Sequence, residues 1–240
     1  MKAYIQSIKG SPWNEECAAA QRGFRALGIE TVLFSSTDEL AGRSREDVVV
    51  GGTLIMEHVL SEYHALPENY SYPPELSAYY DRKIWRTQLK YMHNASYPLF
   101  IKPVRDKAAH GMVFSSFQEL ISSEYASLSP DSEILCSTVV EFISEWRCFV
   151  LYGEIIGVRC YRGDHRIWPD DTVISDAVYD FVYGPAAYAL DFGVTADGRT
   201  LLVEMNDAIA LGCYGLQDDL YAKLLSARWA ELTGTEDMLK

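Results

Sequence analysis

Tyr188–Asn206 reads YALDFGVTADGRTLLVEMN, two runs of alternating apolar residues separated by Asp197-Gly198. Asp-Gly between such runs signals a two-residue type I′ hairpin turn. With those two residues as the loop, Ala196 pairs with Arg199, and counting outward sets Asp191 directly opposite Glu204. Side chains alternate along a strand, so Glu204 and Asn206 share one face while Leu201, Val203 and Met205 take the other. Asp191 lies on the face of Glu204, with Asn206 on the adjacent diagonal. Three oxygen-bearing side chains then converge within roughly 5–8 Å. Two carboxylates directly opposite each other repel unless something positive lies between them, either an arginine or lysine or a hard cation. A small oxygen-only set suits Mg²⁺, which keeps several waters and binds nucleotide phosphates. The competing reading is a solvated face of ordinary surface acids. The geometry hangs on register, since a one-residue slip moves the whole set to the opposite face.

The rest of the chain sets the context for that hairpin. Its 240 residues are 48% hydrophobic and 23% charged, ordinary for a globular chain with a full core. The net charge of −13 opposes non-specific contact with nucleic acid. A local cluster of cations still leaves room for a small anionic ligand. The opening MKAYIQSIKGSPW has no apolar core of a signal peptide, and no run of about 18 apolar residues occurs. The expectation is a cytoplasmic protein with no membrane partner. Five cysteines, an odd number without a C-x-x-C pair, read as reduced core thiols. The histidines lack the spacing of a zinc site.

Residues 1–61 read β-α-β-β-α, a small Rossmann-like α/β unit. KAYIQSI is its first strand, Asn14 caps a helix that stops at Gly28, and DVVVGG is an apolar strand buried on both faces. No G-x-G-x-x-G accompanies it. Residues 62–80, rich in Tyr and Pro, read as a linker. From Asp81 the order is a helix over DRKIWRTQLKYMHNA, a strand over YPLFIKPV, the polar loop RDKAAHG, the strand MVFSS and a helix over Phe117–Ala126. A strand over ILCSTVVEFI follows, then two strands joined near Gly153, a helix over Thr172–Gly184, the hairpin, and an amphipathic helix over Leu216–Thr233. Lys102, Arg147 and Arg159 interrupt apolar strands, where an unpaired charge is costly. Arginine there suits bidentate recognition of phosphate or carboxylate, or a structural ion pair with Glu145 or Asp191.

Three segments in order, YPLFIKPV, VVEFISEWRCFV and DFGVTADGRTLLVEMND, resemble the ATP-grasp superfamily. The arrangement looks most like its divergent arginine-and-two-lysine clade, with relatives of the cell-division-cycle translation-initiation assembly factor. The resemblance covers about Asp81 to Leu216. It implies an α+β fold in which two lobes sandwich ATP over residues 81–240, preceded by residues 1–61 as a small pre-ATP-grasp unit. It implies that Lys102 and Lys83 contact ATP, that Glu141, Phe142 and Ile143 form the adenine hinge, and that Glu145 meets the ribose. Arg147 looks like the family arginine. With Lys102 and Arg159 it would stabilise transferring phosphate, while Asp191, Glu204 and Asn206 hold Mg²⁺. The implied activity is an ADP-forming carboxylate–amine ligase working through an acylphosphate. Its partners would be a small-molecule or peptide carboxylate and an amine acceptor. The alternatives are a non-catalytic ATP-binding assembly chaperone and, third, a small-molecule kinase. Two departures bear on the acceptor. The chain continues NDAIALGCYG where the family has Pro-Gly, and the flexible loop is reduced to RDKAAHG, with Arg105, Lys107 and His110 as its charged residues.

Overall fold

The computed structural model describes residues 1–67, 71–104 and 109–240. Arg105 and Lys107 of the polar loop lie outside the described residues. The chain opens with β1 (Lys2–Ile8), β2 (Ser11–Pro12), α1 (Glu15–Ala26), β3 (Glu30–Phe34), β4 (Val48–Val50) and α2 (Thr53–Ser61). It continues with β5 (Ile84–Gln88), β6 (Leu99–Pro103), β7 (Met112–Phe114), α3 (Phe117–Ile121) and β8 (Glu133–Thr138). It ends with β9 (Ser144–Leu151), β10 (Glu154–Gly163), α4 (Asp171–Asp180), β11 (Ala187–Val194), β12 (Thr200–Asp207) and α5 (Asp218–Thr233). These elements form two compact units, one of residues 1–79 with 142–240 and the other of residues 80–141. The passage between them at Glu141 and Phe142 falls inside the segment expected to join two lobes. Among the described residues no helix is long and apolar enough to cross a membrane.

In the first unit β1 runs parallel to β3 and β4 on either side of it, with β2 antiparallel at its end. The three valines of β4 are all buried, as an apolar strand covered on both faces requires. Asn14 caps α1 by accepting the Cys17 N–H at 2.9 Å, and Glu15 and Glu16 place negative charge at the helix's positive end. Gly23 lets α1 cross α5 at close range, because a Cβ there would lie 1.9 Å from the Asp218 carbonyl oxygen. The expected amphipathic helix is instead buried nearly all round: Tyr221, Leu224, Trp229 and even Ser226 and Arg228 are enclosed. The physical reason is that α5 is covered on several sides. Its core joins the front sheet to Phe149, Ala187 and Ala189 of the following sheet, so residues 1–61 share their core with α5.

The second sheet of this unit has the order β10-β9-β11-β12 and is antiparallel throughout. One face carries Trp146, Cys148, Leu190 and Phe192 inward, and Phe181 after α4 meets Tyr188 edge-on at 5.2 Å. The other face turns polar toward the hairpin end.

The unit of residues 80–141 is an antiparallel sheet in the order β5-β8-β6-β7, packed on Met92, Leu99, Ile101, Phe114, Leu120 and Tyr125. Here the structure corrects the sequence reading. DRKIWRTQLKYMHNA is not one helix; Ile84–Gln88 pairs with β8, and a 3₁₀ turn covers Leu89–Asn94. Its apolar residues fit a helical stripe, but β-branched and aromatic Ile84, Trp85 and Thr87 also suit a strand, and pairing with β8 decides. Asp81 adopts φ 44° and is no helix cap. The helix expected over Phe117–Ala126 is broken as well. Ser122 and Ser123 hydroxyls bond back to the Gln118 and Leu120 carbonyls, ending α3 before a 3₁₀ turn at Glu124–Ser127.

Candidate functional site

The β11–β12 hairpin places Asp191 opposite Glu204, as the sequence predicts, but by a different route. The loop is Ala196-Asp197-Gly198, closed by Thr195 N–H to the Arg199 carbonyl at 2.9 Å, with Gly198 at φ 85°. Three-residue loops with a left-handed last position are the next commonest hairpins after the two-residue type. This shifts the near register by one, so that Val194 pairs with Thr200 and Phe192 with Leu202. An irregularity at Val203 then restores it, and Asp191 pairs with Glu204, Leu190 with Met205 and Ala189 with Asn206. A bulge adds one residue to one strand, which compensates the loop.

The positive group that relieves the facing carboxylates is Arg147, on β9. β9 pairs with β11 so that Arg147 stands opposite Asp191, and the guanidinium grips it with Nε at 2.8 Å and Nη2 at 2.7 Å. Asn206 Nδ2 donates to the same carboxylate at 3.0 Å. Asp191 is 2% exposed and Arg147 6%. Burial pushes the Asp191 carboxyl up, and the Arg147 guanidinium opposes that rise. Tyr214 lies over the guanidinium at 4.8 Å and Tyr161 at 5.8 Å, the two rings stacked on each other at 5.1 Å. Glu145, two residues before Arg147, accepts from Tyr161 Oη at 2.8 Å and Arg162 Nη1 at 2.6 Å. Burial, with Asp191 and Glu145 nearby, holds the Tyr161 phenol protonated far above its usual range.

Arg159 sits cross-strand from Arg147 and is half-buried. It donates only to carbonyls, those of Gly215 at 3.1 Å and Val158 at 2.9 Å. Among the described residues it has no carboxylate partner in ion-pair range, so its charge is the one on this face still open to an anion. Glu204 and Asn206 are half-buried neighbours on β12. Three hydrogen bonds to Asp191 leave about one of a carboxylate's four lone-pair positions. Among the described residues no cluster of three His, Cys, Asp or Glu residues is placed to hold a metal. The residues expected to hold the metal, Asp191, Glu204 and Asn206, are two carboxylates and an amide. That fits Mg²⁺, which is commonly held by one or two carboxylates and completed by water and phosphate.

The expected hinge is spread over both units. Phe142 packs on Gly193, where a Cβ would come within 2.2 Å of the ring. Ile143 N–H donates to the Val194 carbonyl at 2.8 Å, and its carbonyl accepts from Asp164 at 3.0 Å, so both backbone groups are in use. Glu141 is exposed.

In the other unit Lys102 lies half-buried on β6, opposite Leu135 of β8. Arg86 pairs with the same Leu135 from the other side, so Lys102 and Arg86 share a face about two strand spacings, roughly 10 Å, apart. Lys83 precedes β5 and lies over Trp85 at 5.1 Å, apart from that pair by alternation. His110 meets Glu124, and its carbonyl accepts from the buried Tyr125 hydroxyl at 2.8 Å.

On the β9–β11 face of the first unit, Tyr161, Tyr214 and Arg162 are the residues that sequence reasoning misses; in the unit of residues 80–141 it misses Arg86. Arg162 and Tyr161 reach Glu145 through a register shift between Cys160 and Arg162, and Tyr214 comes from a loop. Neither leaves a periodic signal. Arg86 shows once Ile84–Gln88 is read as a strand.

Among curated proteins none matches the sequence. Solved structures do, at identities that speak to the fold alone. The D-alanine–D-alanine ligase from Bacillus anthracis complexed with ATP matches with TM-score 0.59 at 13% identity, over 96% of this chain and 95% of that one. The D-cycloserine synthetase DcsG matches with TM-score 0.59 at 11% identity, over 97% and 100%. The ATP-grasp ligase PsnB complexed with minimal precursor, Mg and ADP matches with TM-score 0.56 at 15% identity, over 96% of each. In sequence, residues 79–224, more than half of the chain, match the family described as ATP-grasp domain, R2K clade family 2. With a mixed α+β fold, a polar sheet face bearing Arg147, Asp191, Glu204 and Asn206, and that match, the chain belongs to the ATP-grasp family, R2K clade family 2.

Proposed function

We propose that this protein is a Mg²⁺- and ATP-dependent carboxylate–amine ligase that forms ADP. The observation that carries the reading is the single sheet face on which Glu204, Asn206, the Arg147–Asp191 pair and Arg159 stand together in a chain of this family. A substrate carboxylate attacks the γ-phosphate, giving an acylphosphate and ADP, and an amine then displaces phosphate. Such transfer needs positioning and charge neutralisation more than covalent help. Glu204 and Asn206 would hold Mg²⁺, with Asp191 as the third ligand. The ion when bound neutralises phosphate oxygens. Arg159 and Lys102 meet the transferring phosphate, and Arg147 holds Asp191 and Asn206 in place for them. Lys83 is the second lysine on the nucleotide, Glu145 faces the ribose, and Glu141, Phe142 and Ile143 line the adenine. Residues 1–61 serve as the pre-ATP-grasp unit, residues 62–80 link it to the rest, and the kinship is with the cell-division-cycle assembly factor.

No thiol nucleophile is needed. Burial pushes Cys148 up to about 12, which keeps that thiol protonated. The test is ADP release with panels of carboxylates and amines, comparing the protein with Glu204→Gln. The variant should melt normally and release no ADP; equal turnover would sink the proposal. One observation favours a non-catalytic nucleotide binder instead: the Asp191 oxygens are already engaged by Arg147 and Asn206. Under that reading ATP raises the melting temperature, but no acceptor speeds ADP formation.

A further inference from the structure

The outward face of α4, with the turn that follows it, has no role in the scheme above. Ile174, Ala177 and Val178 bury one side of the helix. Thr172, Ser175, Asp176 and Tyr179 are left exposed, at the three- and four-residue spacing of a single helix face. The chain then turns tightly about a buried anchor. Phe181 meets Tyr188 edge-on, and its carbonyl accepts the Gly184 N–H at 3.0 Å. A Cβ on Gly184 would lie 2.8 Å from the Phe181 ring. With Phe181 fixed inward, Val182 and Tyr183 are turned out. Val182 is 74% exposed, Tyr179 83% and Tyr183 87%, the highest values of any large apolar side chain among the described residues. Single exposed apolar residues are ordinary, but three grouped on a fixed turn mark a contact surface.

Charge narrows what that surface can meet. Ile167–Gly198 contains no lysine or arginine, while α4 itself carries Asp171, Asp176 and Asp180. The arginines that bound the stretch are already paired, Arg166 with Asp164 at 2.7 Å and Arg199 with Asp197 at 2.8 Å. Asp180 accepts from Tyr79 Oη at 2.6 Å, which fixes it beside Tyr179. Asp176 makes no hydrogen bond or ion pair among the described residues.

We infer that this face docks another protein, through a segment that carries arginines between apolar side chains. A tyrosine ring beside an open carboxylate recognises a guanidinium twice, by stacking and by a charge-assisted fork. Val182 and the tyrosine rings take the apolar neighbours, and tyrosine and arginine are the residues that anchor interfaces. The buried Phe181 holds the turn in place before binding, so little ordering is left to oppose association. A second copy of this chain fits poorly, because an isologous contact sets Asp176 and Asp180 near their own images. The same carboxylates repel nucleic acid and anionic membranes. The inference does not depend on the ligase reading.

The experiment is fluorescence anisotropy of a labelled decapeptide of alternating leucine and arginine, titrated with the full chain at physiological ionic strength. It should bind, while an alternating leucine–glutamate peptide should not. The double variant Tyr179→Ser, Tyr183→Ser should bind roughly tenfold more weakly or worse, and so should Asp176→Lys. All three positions are exposed, so the variants should melt as the unaltered protein does. Asp38→Lys changes the net charge equally from another exposed turn and should bind the peptide normally. Absence of binding, equal binding by the tyrosine variant, or an equal loss in Asp38→Lys overturns the inference. So does a dimer in sedimentation that the tyrosine variant abolishes, which would give the face to a second copy. Mg-ADP titrated into the same variants should bind as to the unaltered protein. Peptide binding without Mg-ADP binding would keep the docking face and remove the ligase reading, and the converse would do the reverse.

Discussion

Two arginine–aspartate forks with a buried guanidinium lie in the first unit among the described residues, and they differ in what surrounds them. Arg228 on α5 grips Asp207 at the end of β12 through Nε at 2.8 Å and Nη2, and its Nη1 meets Glu231 at 2.6 Å. Glu231 in turn accepts the Ala186 N–H at 2.8 Å. That network is closed: two carboxylates serve one guanidinium, and it ties a helix to a strand end. Arg147 and Asp191 are gripped just as tightly, yet their neighbours are a second carboxylate opposite, a half-buried amide, stacked tyrosines and an arginine with no acidic partner among the described residues. The same motif is a staple in one place and the floor of a site in the other. A short salt bridge therefore says little about function until the groups around it are inspected.

Breaking each fork separates the two uses. Asp191→Asn leaves a buried guanidinium without its counter-charge, which costs about 3–5 kcal/mol. For a chain near this size that lowers the melting temperature by roughly 6–20 °C. Mg-dependent nucleotide binding should be lost in the same variant, read by titration at a temperature where it is folded. Retained binding would show that Asp191 belongs to the fold alone. Arg228→Met should cost less, about 2–4 kcal/mol, because Asp207 and Glu231 keep access to water. Its nucleotide affinity should be that of the unaltered protein, and a matching loss in both quantities would erase the contrast. Glu204→Gln reverses the pattern: a stability change under about 1 kcal/mol by denaturant titration, with Mg-dependent affinity down roughly tenfold or more. Gly198→Ala should have the smallest effect, about 1 kcal/mol from its φ of 85°. Nucleotide affinity should not change, because the bulge at Val203 and pairing with β9 fix Asp191 against Glu204 independently of the turn.

The hairpin was the most legible part of the sequence because period-two alternation and a turn signal are local. Even so, the two-residue loop and the unbroken register were both wrong by one residue in opposite senses, and their cancellation delivered the right pair. Arg147 and Asp191 as an ion pair were legible as one of several options, since each is a charge inside an apolar strand. Ile84–Gln88 was not legible, because its apolar spacing serves a helix as well as an edge strand and only β8 decides between them. The Tyr161–Tyr214 stack depends on residues far apart in the chain. Such contacts leave no mark in spacing or composition.

The first unit is discontinuous, and that has a consequence for the order in which the chain matures. Its core needs α1 and α5 together, which are joined by the Arg22–Asp218 pair 196 residues apart. On the ribosome residues 1–79 must wait for α5 before they find their partner. Residues 80–141 are contiguous and self-paired, so they can finish while synthesis continues. Nascent chains arrested before Asp218 should therefore resist protease across residues 80–141 and be cut within residues 1–79; uniform cutting would contradict that order. Among the described helices α5 is made last, and it closes the first sheet begun.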